Sequence, residues 1–489
     1  MTGPAPRDGI ALDAIRECLE GTIPAMMTTV APDGTPNITY LSQIQYVDPD
    51  HVGLSFQFFN KTRANVLGNP HAQVLVIHPF TAAMYRLDLR YLRTEAEGPL
   101  FETMKAKLAG VASAHGMAHV FRLRGADVYR VEGIGQATRG DPSLPVPPRC
   151  TRHLAGLRRA SLRIAAAADL DTLLDETLAA LQDAFGYDHS MLLLLDRRAD
   201  RLFTVASRGY PSSGAGSEVP VGAGVLGTAA RERTPIRINH ATVEYSYLRA
   251  VGESIERAGE IDRLETLIPP PGLRHAHSQL AVPIVTAGAL LGVLAVESPE
   301  DMRFGYDDED ALVAIASQIG AALPLLQAQQ ARDADGEPGG GQAAAAPASP
   351  SGTPTAQASP GSPFPAGAGA SPAIATGPDA APTPVALRHY PHDDSVFLGE
   401  DYLIKGVAGA VLWLMARDHV EHGRTQFTNR ELRLDPRLRL PEIGDNLEAR
   451  LVLLQRRLAD RAACIRLDKA GRGRLRLTVH RPLHLLEVR

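Results

Sequence analysis

Residues 336–385 set the strongest limit on what this chain can fold into. Of these 50 positions 34 are Ala, Pro or Gly, and the only charges are Glu337 and Asp379. Such a run buries too little apolar surface to offset the entropy of ordering it, and it predicts a disordered linker over 331–386. A single core over all 489 residues is thereby excluded. A softer boundary falls at the Pro-rich stretch DPSLPVPPR, 141–149. Three folded units are expected, over 1–140, 150–330 and 387–489.

Hydrophobic residues make up 44% and charged residues 21% of the chain, enough apolar content for each unit to bury a core. Cys18, Cys150 and Cys464 lie far apart with no CxxC spacing, which points to a reducing compartment without disulfides or a cysteine metal site. The opening MTGPAPRDGI has no basic region followed by an apolar core, and no run of about 18 apolar residues suits a bilayer. A cytoplasmic protein without a membrane partner is the expectation. The net charge of -5 is unevenly spread. Residues 424–481 hold 15 Lys+Arg against 7 Asp+Glu, a balance of +8, whereas 1–423 hold 34 against 47, a balance of -13. One end is thus suited to meet a polyanion.

In the first unit, AMMTTV (25–30), PNITYLSQIQYV (36–47) and HVGLSFQFF (51–59) read as three consecutive strands punctuated by Asp-Gly and Asp-Pro turns. TRANVL is a short helix, and strands follow at 72–78, 85–98 and 126–137, with a helix at 101–114. The corner FFNKTRANVLGNP (58–70) crowds Asn60, Lys61, Thr62, Arg63 and Asn65 where a strand gives way to a helix. It is either a solvated junction or an anion site built from a cation, a hydroxyl and the free N–H groups of a helix start.

The strand order, KTRANVLGNPHAQVLV and the late DVYRVEG strand resemble the FMN-binding split barrel of pyridoxamine-phosphate-oxidase-like proteins, over roughly 10–138. That resemblance implies a homodimer that grips the FMN phosphate at this corner, with Asn60, Lys61, Thr62, Arg63 and Asn65 as candidate cofactor residues. The family usually places its cation three residues before the Asn, where this chain has Thr62, so either Lys61 or Arg63 would serve. The Arg-rich C-terminal signature that holds substrate in true pyridoxamine-phosphate oxidases is absent. A flavin-free barrel with a solvated corner is the alternative.

The middle unit opens with an amphipathic helix at 157–186 that breaks near Ala168–Asp169, followed by strands at 190–196, 201–209, 281–285 and 290–297 and a last helix at 307–325. V-P-V-G-A-G-V-L-G, L-A-V-P-I and G-V-L-A-V-E-S-P, then Phe304 and Asp307-Asp308-Glu309, resemble a GAF domain. The resemblance implies an α/β sandwich that dimerises through its terminal helices and often encloses a small ligand. Gly222, Gly224 and Gly227 then form either an anion nest at a helix start or simply a tight loop. Glu297-Ser298 stands where cyclic-nucleotide-binding members carry Asn-Lys, and no cysteine is available to attach a bilin. His275 and His277 lack a ligand pattern and read as solvated, so no metal is expected.

The tail unit reads as a helix over 402–419, a second opened by FTNREL with Thr428 as N-cap and Glu431 completing a capping box, and a third over 441–461. Leu447, Leu451, Leu454 and Leu458 form the third helix's core row, with Arg450, Arg457 and Arg461 on another side. A hairpin around DKAGRG places Arg472, Arg474 and Arg476 on one face at strand spacing. The order is similar to a winged helix, with Arg450, Arg457, Arg472, Arg474 and Arg476 as candidates for DNA phosphates. A protein-binding winged helix is the alternative.

Phosphate-loop, nucleophile-elbow and HExxH motifs are all missing. The fold class expected is multidomain α+β: a split barrel, a GAF α/β sandwich, a disordered linker and a winged helix. The function expected is a sensory or regulatory protein with a flavin-binding barrel, a small-ligand GAF domain and a DNA-binding output. An FMN-dependent oxidoreductase with GAF regulation is the alternative.

Overall fold

The computed structural model describes residues 9–335 and 384–488, apart from 20–22, 42, 57–59, 115–122, 145, 147–149, 240–270, 274–275, 439–446, 462–463 and 472. Nearly all of the expected linker lies outside the described residues.

The N-terminal unit contains a 3-10 helix (Leu12–Leu19), strands β1 (Ala25–Val30), β2 (Pro36–Leu41), β3 (Ile44–Asp48) and β4 (His51–Phe56), helix α1 (Asn60–Gly68), strands β5 (His71–Ile77) and β6 (Met84–Glu95), helix α2 (Pro99–Ala114) and strand β7 (Gly125–Thr138). All pairings are antiparallel, in the order β2-β1-β5-β6-β7-β4-β3. The strand expected over 36–47 is therefore two strands, at opposite edges of the sheet. Only residues 42 and 43 separate Leu41 from Ile44, a reach of about 10 Å, so the edges must come together and the sheet must roll. Alternate residues Met27, Val52, Leu54, Val74, Leu87 and Leu89 fill the interior.

The central unit runs α3 (His153–Ala166), α4 (Leu170–Phe185), β8 (His189–Asp196), β9 (Arg201–Arg208), β10 (Glu218–Pro220), α5 (Gly224–Glu232), β11 (Ile236–Ile238), β12 (Ser278–Thr286), β13 (Ala289–Ser298) and α6 (Tyr306–Asp335). The sheet order is β10-β9-β8-β13-β12-β11. The helix break read near 168–169 is real: the Asp169 side chain accepts from the Thr172 N–H at 2.9 Å and caps α4. Leu192, Leu194, Val205, Leu294 and Val296 face α3, α4 and α6, while Met191, Leu193 and Ala295 face α5. The segment Tyr306–Gln329 is long and apolar enough to cross a membrane. Here its Leu312, Ile315, Ile319 and Leu323 are buried in the central core. Helix α2 lies against α5 and β11, and a Cβ at Gly110 would stand 2.5 Å from Ile236 Cγ2. Glycine is what permits that approach.

The C-terminal unit contains strands β14 (Val385–Tyr390), β15 (Ser395–Leu398) and β16 (Asp401–Ile404), helix α7 (Gly406–His422), strand β17 (Gln426–Thr428), helices α8 (Asn429–Leu434) and α9 (Leu447–Arg461), and strands β18 (Ile465–Lys469), β19 (Arg474–Val479) and β20 (Leu483–Glu487). The helix expected from residue 402 starts at Gly406, because 401–404 is a strand of the sheet β16-β15-β14-β20. That sheet depends on β14 pairing parallel with β20 from the far end of the unit, a contact that local periodicity does not reveal. The Thr428 cap is present, accepting from the Glu431 N–H at 3.2 Å. The core row Leu447, Leu451, Leu454 and Leu458 is buried.

Candidate functional site

At the corner after β4, α1 begins with Asn60, whose side chain lies outside the described residues. Thr62 is buried, and its hydroxyl accepts from Asn37 Nδ2 at 2.9 Å. Asn65, also buried, donates to Thr29 Oγ1 at 3.0 Å. These two side chains fasten α1 to β1 and β2.

Arg63 turns inward. Its Nη1 donates to Asp127 Oδ1 at 2.7 Å, and its guanidinium lies over the rings of Phe56 (4.8 Å) and Tyr91 (5.5 Å). Thr94 donates to the same carboxylate oxygen. Burial pushes the Asp127 carboxyl above the usual range, and Thr94 and Arg63 offset only part of that rise.

Lys61 is left exposed in the first turn of α1, with Asp33 near enough to feel its charge. Of the two cations the sequence offered, Arg63 is thus committed to a structural pair and Lys61 is the one that faces outward. Lys61 and the first-turn N–H groups of α1 are a donor set that fits a phosphate. The cavity beside them, lined by Met27, Leu54, Phe56, Thr62, Arg63 and Tyr129, measures about 20 Å³. It holds about one water.

In the central unit, the N–H of Gly222 donates to Gly227 O at 2.7 Å and that of Ala223 to Pro220 O at 3.1 Å. Gly222 has φ +91, and a Cβ at Gly227 would meet Pro220 O at 2.3 Å. Gly222 lies in a tight loop packed against the first turn of α5, which holds Gly224 and Gly227, and these two N–H groups are spent within it.

A polar row that sequence reasoning missed crosses the sheet face beside α5. Gln279, Glu297 and His189 stand in register on β12, β13 and β8. Glu297 accepts from the Leu273 N–H at 2.9 Å and from Gln279 Nε2 at 3.1 Å, and the His189 and Tyr210 rings lie 5.4 Å apart. Its sequence signal was a set of polar residues at the ends of otherwise apolar strands. His277 pairs with Asp301 at 3.4 Å, and His275 lies outside the described residues. Among the described residues no cluster of three or more His, Cys, Asp or Glu could hold a metal.

Residues 169–323 match the family model described as GAF domain. The chain carries a GAF domain. Residues 11–131 match the model described as Pyridoxamine 5'-phosphate oxidase. Among solved structures the chain is similar to the GAF domain from Acinetobacter phosphoenolpyruvate-protein phosphotransferase, at 23% identity over 36% of this chain and 96% of that one, with a TM-score of 0.29. It is similar to free methionine-R-sulfoxide reductase from Neisseria meningitidis at 21% identity, over 36% and 91%, with a TM-score of 0.28. It is also similar to an FMN-binding protein from Syntrophomonas wolfei at 18%, over 26% and 86%, with a TM-score of 0.23. No curated protein matches the chain.

Two of the candidate DNA contacts are buried, one of them against the GAF domain. Arg450 is buried, its Nη2 2.5 Å from Asp196 Oδ2 and its guanidinium 4.0 Å from the Phe203 ring centroid, both GAF residues. Arg457 is buried within its own unit and donates through Nε to Leu403 O at 2.8 Å. Neither presents a guanidinium to solvent, which corrects the expectation that the third helix offers them to phosphate. The amphipathic reading put them off the apolar row, and they are off it; a second surface covers that side. Arg474 and Arg476 are exposed on one face of β19, with Asp468 opposite Arg476, and Arg472 lies outside the described residues.

Proposed function

We propose that this chain is a sensory or regulatory protein in which an FMN-binding barrel and a small-ligand GAF domain act on a C-terminal winged-helix-like module that binds DNA. The observation that carries the flavin part is the division of labour at the corner: Arg63 is locked to Asp127, while Lys61 faces outward at the start of α1. FMN supplies hydride or single-electron chemistry at its ring when bound. The chain's own part is to hold the phosphate with Lys61 and the α1 N–H groups and to keep α1 in place through Thr62 and Asn65. In a homodimer a second copy of the barrel would cover this corner. Leu154 and Leu162 on α3 and Leu325 on α6, all exposed, extend that pairing to the GAF helices. The row Gln279, Glu297 and His189 is the polar end of the GAF ligand face, suited to a small hydrogen-bonding ligand.

Titration of the purified protein with FMN should quench flavin fluorescence, with light scattering returning twice the chain mass. Lys61→Ala should weaken binding about tenfold or more, the worth of one charge-assisted contact, without lowering thermal stability. Absence of quenching in the wild type would refute the flavin reading. The oxidoreductase alternative draws on the name of the matched oxidase model and predicts that the FMN-loaded protein consumes NAD(P)H or a pyridoxamine-type substrate.

The DNA part rests on Arg474 and Arg476, exposed at strand spacing in a region of net +8. Replacing both by Ala in the full chain should weaken binding to random duplex DNA. Each lost phosphate contact should flatten the log–log salt dependence by about 0.9. A wild type that fails to bind duplex DNA at low salt would leave a protein-binding module as the better account.

A further inference from the structure

The basic C-terminal unit and the GAF domain meet along a row of opposite charges. Arg450 Nη2 reaches Asp196 at 2.5 Å, and Arg456 Nη2 reaches Asp171 at 2.8 Å and Asp175 at 2.6 Å. Lys469 pairs with Asp169 at 2.9 Å, and Lys405 with Glu218 at 3.1 Å. In these five pairs every cation belongs to the C-terminal unit and every carboxylate to the GAF domain. One further bond runs from Ser213 to Asp460. Beneath the charges the apolar cores of the two units form one continuous cluster.

The pairs are unequal. Arg450 is 9% exposed and stacked on Phe203, so it anchors the contact. The side chains of Asp171 and Asp175 are 40% and 66% exposed, in reach of salt. Residues 336–383 join the two units, so the contact can open without the partners being lost to bulk solution. Carboxylates at helix spacing against Arg and Lys offer what phosphates at backbone spacing offer: anionic oxygens for charge-assisted bonds.

We propose that the acidic face of the GAF domain masks the cationic face of the C-terminal unit, and that duplex DNA competes with it for Arg450, Arg456, Lys405 and Lys469. The identity of the competitor rests on the DNA-binding reading above; the masking contact itself does not. The hairpin arginines outside the mask would make first contact, and release would add the α9 face.

The test uses the full chain and two readouts, hydrogen exchange over 447–461 and binding of a random-sequence duplex by anisotropy. In the wild type, exchange over 447–461 should speed up about tenfold between ~50 mM and ~0.5 M NaCl, as screening shortens from about 14 Å to about 4 Å. Asp171→Asn/Asp175→Asn/Asp196→Asn should show the fast exchange already at low salt and bind the duplex about tenfold more tightly. Arg450→Gln/Arg456→Gln, on the opposite wall, should reproduce the release, which guards against a folding defect confined to the GAF variant. Protection that ignores both salt and the variants would overturn the mask. Release without tighter DNA binding, in a protein whose binding still needs Arg474 and Arg476, overturns the competition while leaving the DNA reading intact. Release with no DNA binding in any variant removes duplex DNA as the competitor and the DNA reading with it.

Discussion

Arg63→Ala should cost the N-terminal barrel about 3–5 kcal/mol, because it leaves the buried Asp127 carboxylate without its cation. The loss propagates: Arg63 packs on Phe56 and Tyr91 and so ties α1 to β4 and β6, while Asp127 sits in β7. Trp413, the single tryptophan, is in the C-terminal unit and reports nothing of the barrel. The measurement is therefore hydrogen exchange over 51–56 and 125–138, whose protection should fall by about two to four orders of magnitude. Lys61→Ala, two residues away and exposed, should stay within about 0.5 kcal/mol of wild type.

The effect has a pH signature. Burial already holds the Asp127 pKa above its unfolded value. A raised carboxyl contributes stability below the unfolded pKa and loses it as pH rises through the folded one. Without Arg63 the folded pKa rises further, so the deficit of Arg63→Ala should shrink as the protein is acidified toward pH 4. A deficit that stayed constant with pH would show that packing of Arg63 on the rings, and not its charge, carries the effect.

Asp308→Ala should destabilise the GAF domain by about 3–5 kcal/mol. The carboxylate is almost completely buried and accepts three bonds, from the Tyr187 hydroxyl at 2.5 Å, His153 Nε2 at 3.0 Å and the Gly305 N–H at 2.7 Å. Each donor left unpaired inside the protein costs about 1–3 kcal/mol, with the sum reduced because the three share one acceptor group. These donors come from α3, the turn before β8 and the start of α6, so one side chain pins three elements that are far apart in sequence. Differential scanning calorimetry should show the GAF transition about 10 °C lower, at roughly 2–4 °C per kcal/mol for a domain of this size. Asp307→Ala, at the exposed neighbouring position, should shift it by less than about 2 °C. Equal shifts for the two variants would refute the assignment of Asp308 as the internal acceptor.

Much of the local structure was legible in the residues. Strand alternation located β1, β5, β6 and the later part of β7 to within a few positions, because one face is buried and period two records that directly, whereas β8, β9, β12 and β13 were legible as short apolar runs buried on both faces. The break between α3 and α4 was legible because Asp169 is a cap residue, and Thr428 announced α8 for the same reason. The corner at 60–65 was found because polar residues at a strand end stand out against an apolar sheet. What it does with them was not legible: whether Lys61 or Arg63 faces outward depends on Asp127, 64 residues beyond Arg63.

The sequence by itself determined most local elements of the first two units, the separation of the charge and the two family resemblances, since each is written in spacing and composition over short windows. Tertiary structure alone decided the pairings. It brought β2 and β3 to opposite edges of one rolled sheet and joined β14 to β20 in parallel. It also covered Arg450 with Asp196 and Phe203 across some 250 residues. A helical period reports which side chains leave the apolar row. It carries no information about what surface those side chains meet, because that surface is assembled from segments whose distance in sequence no local pattern encodes.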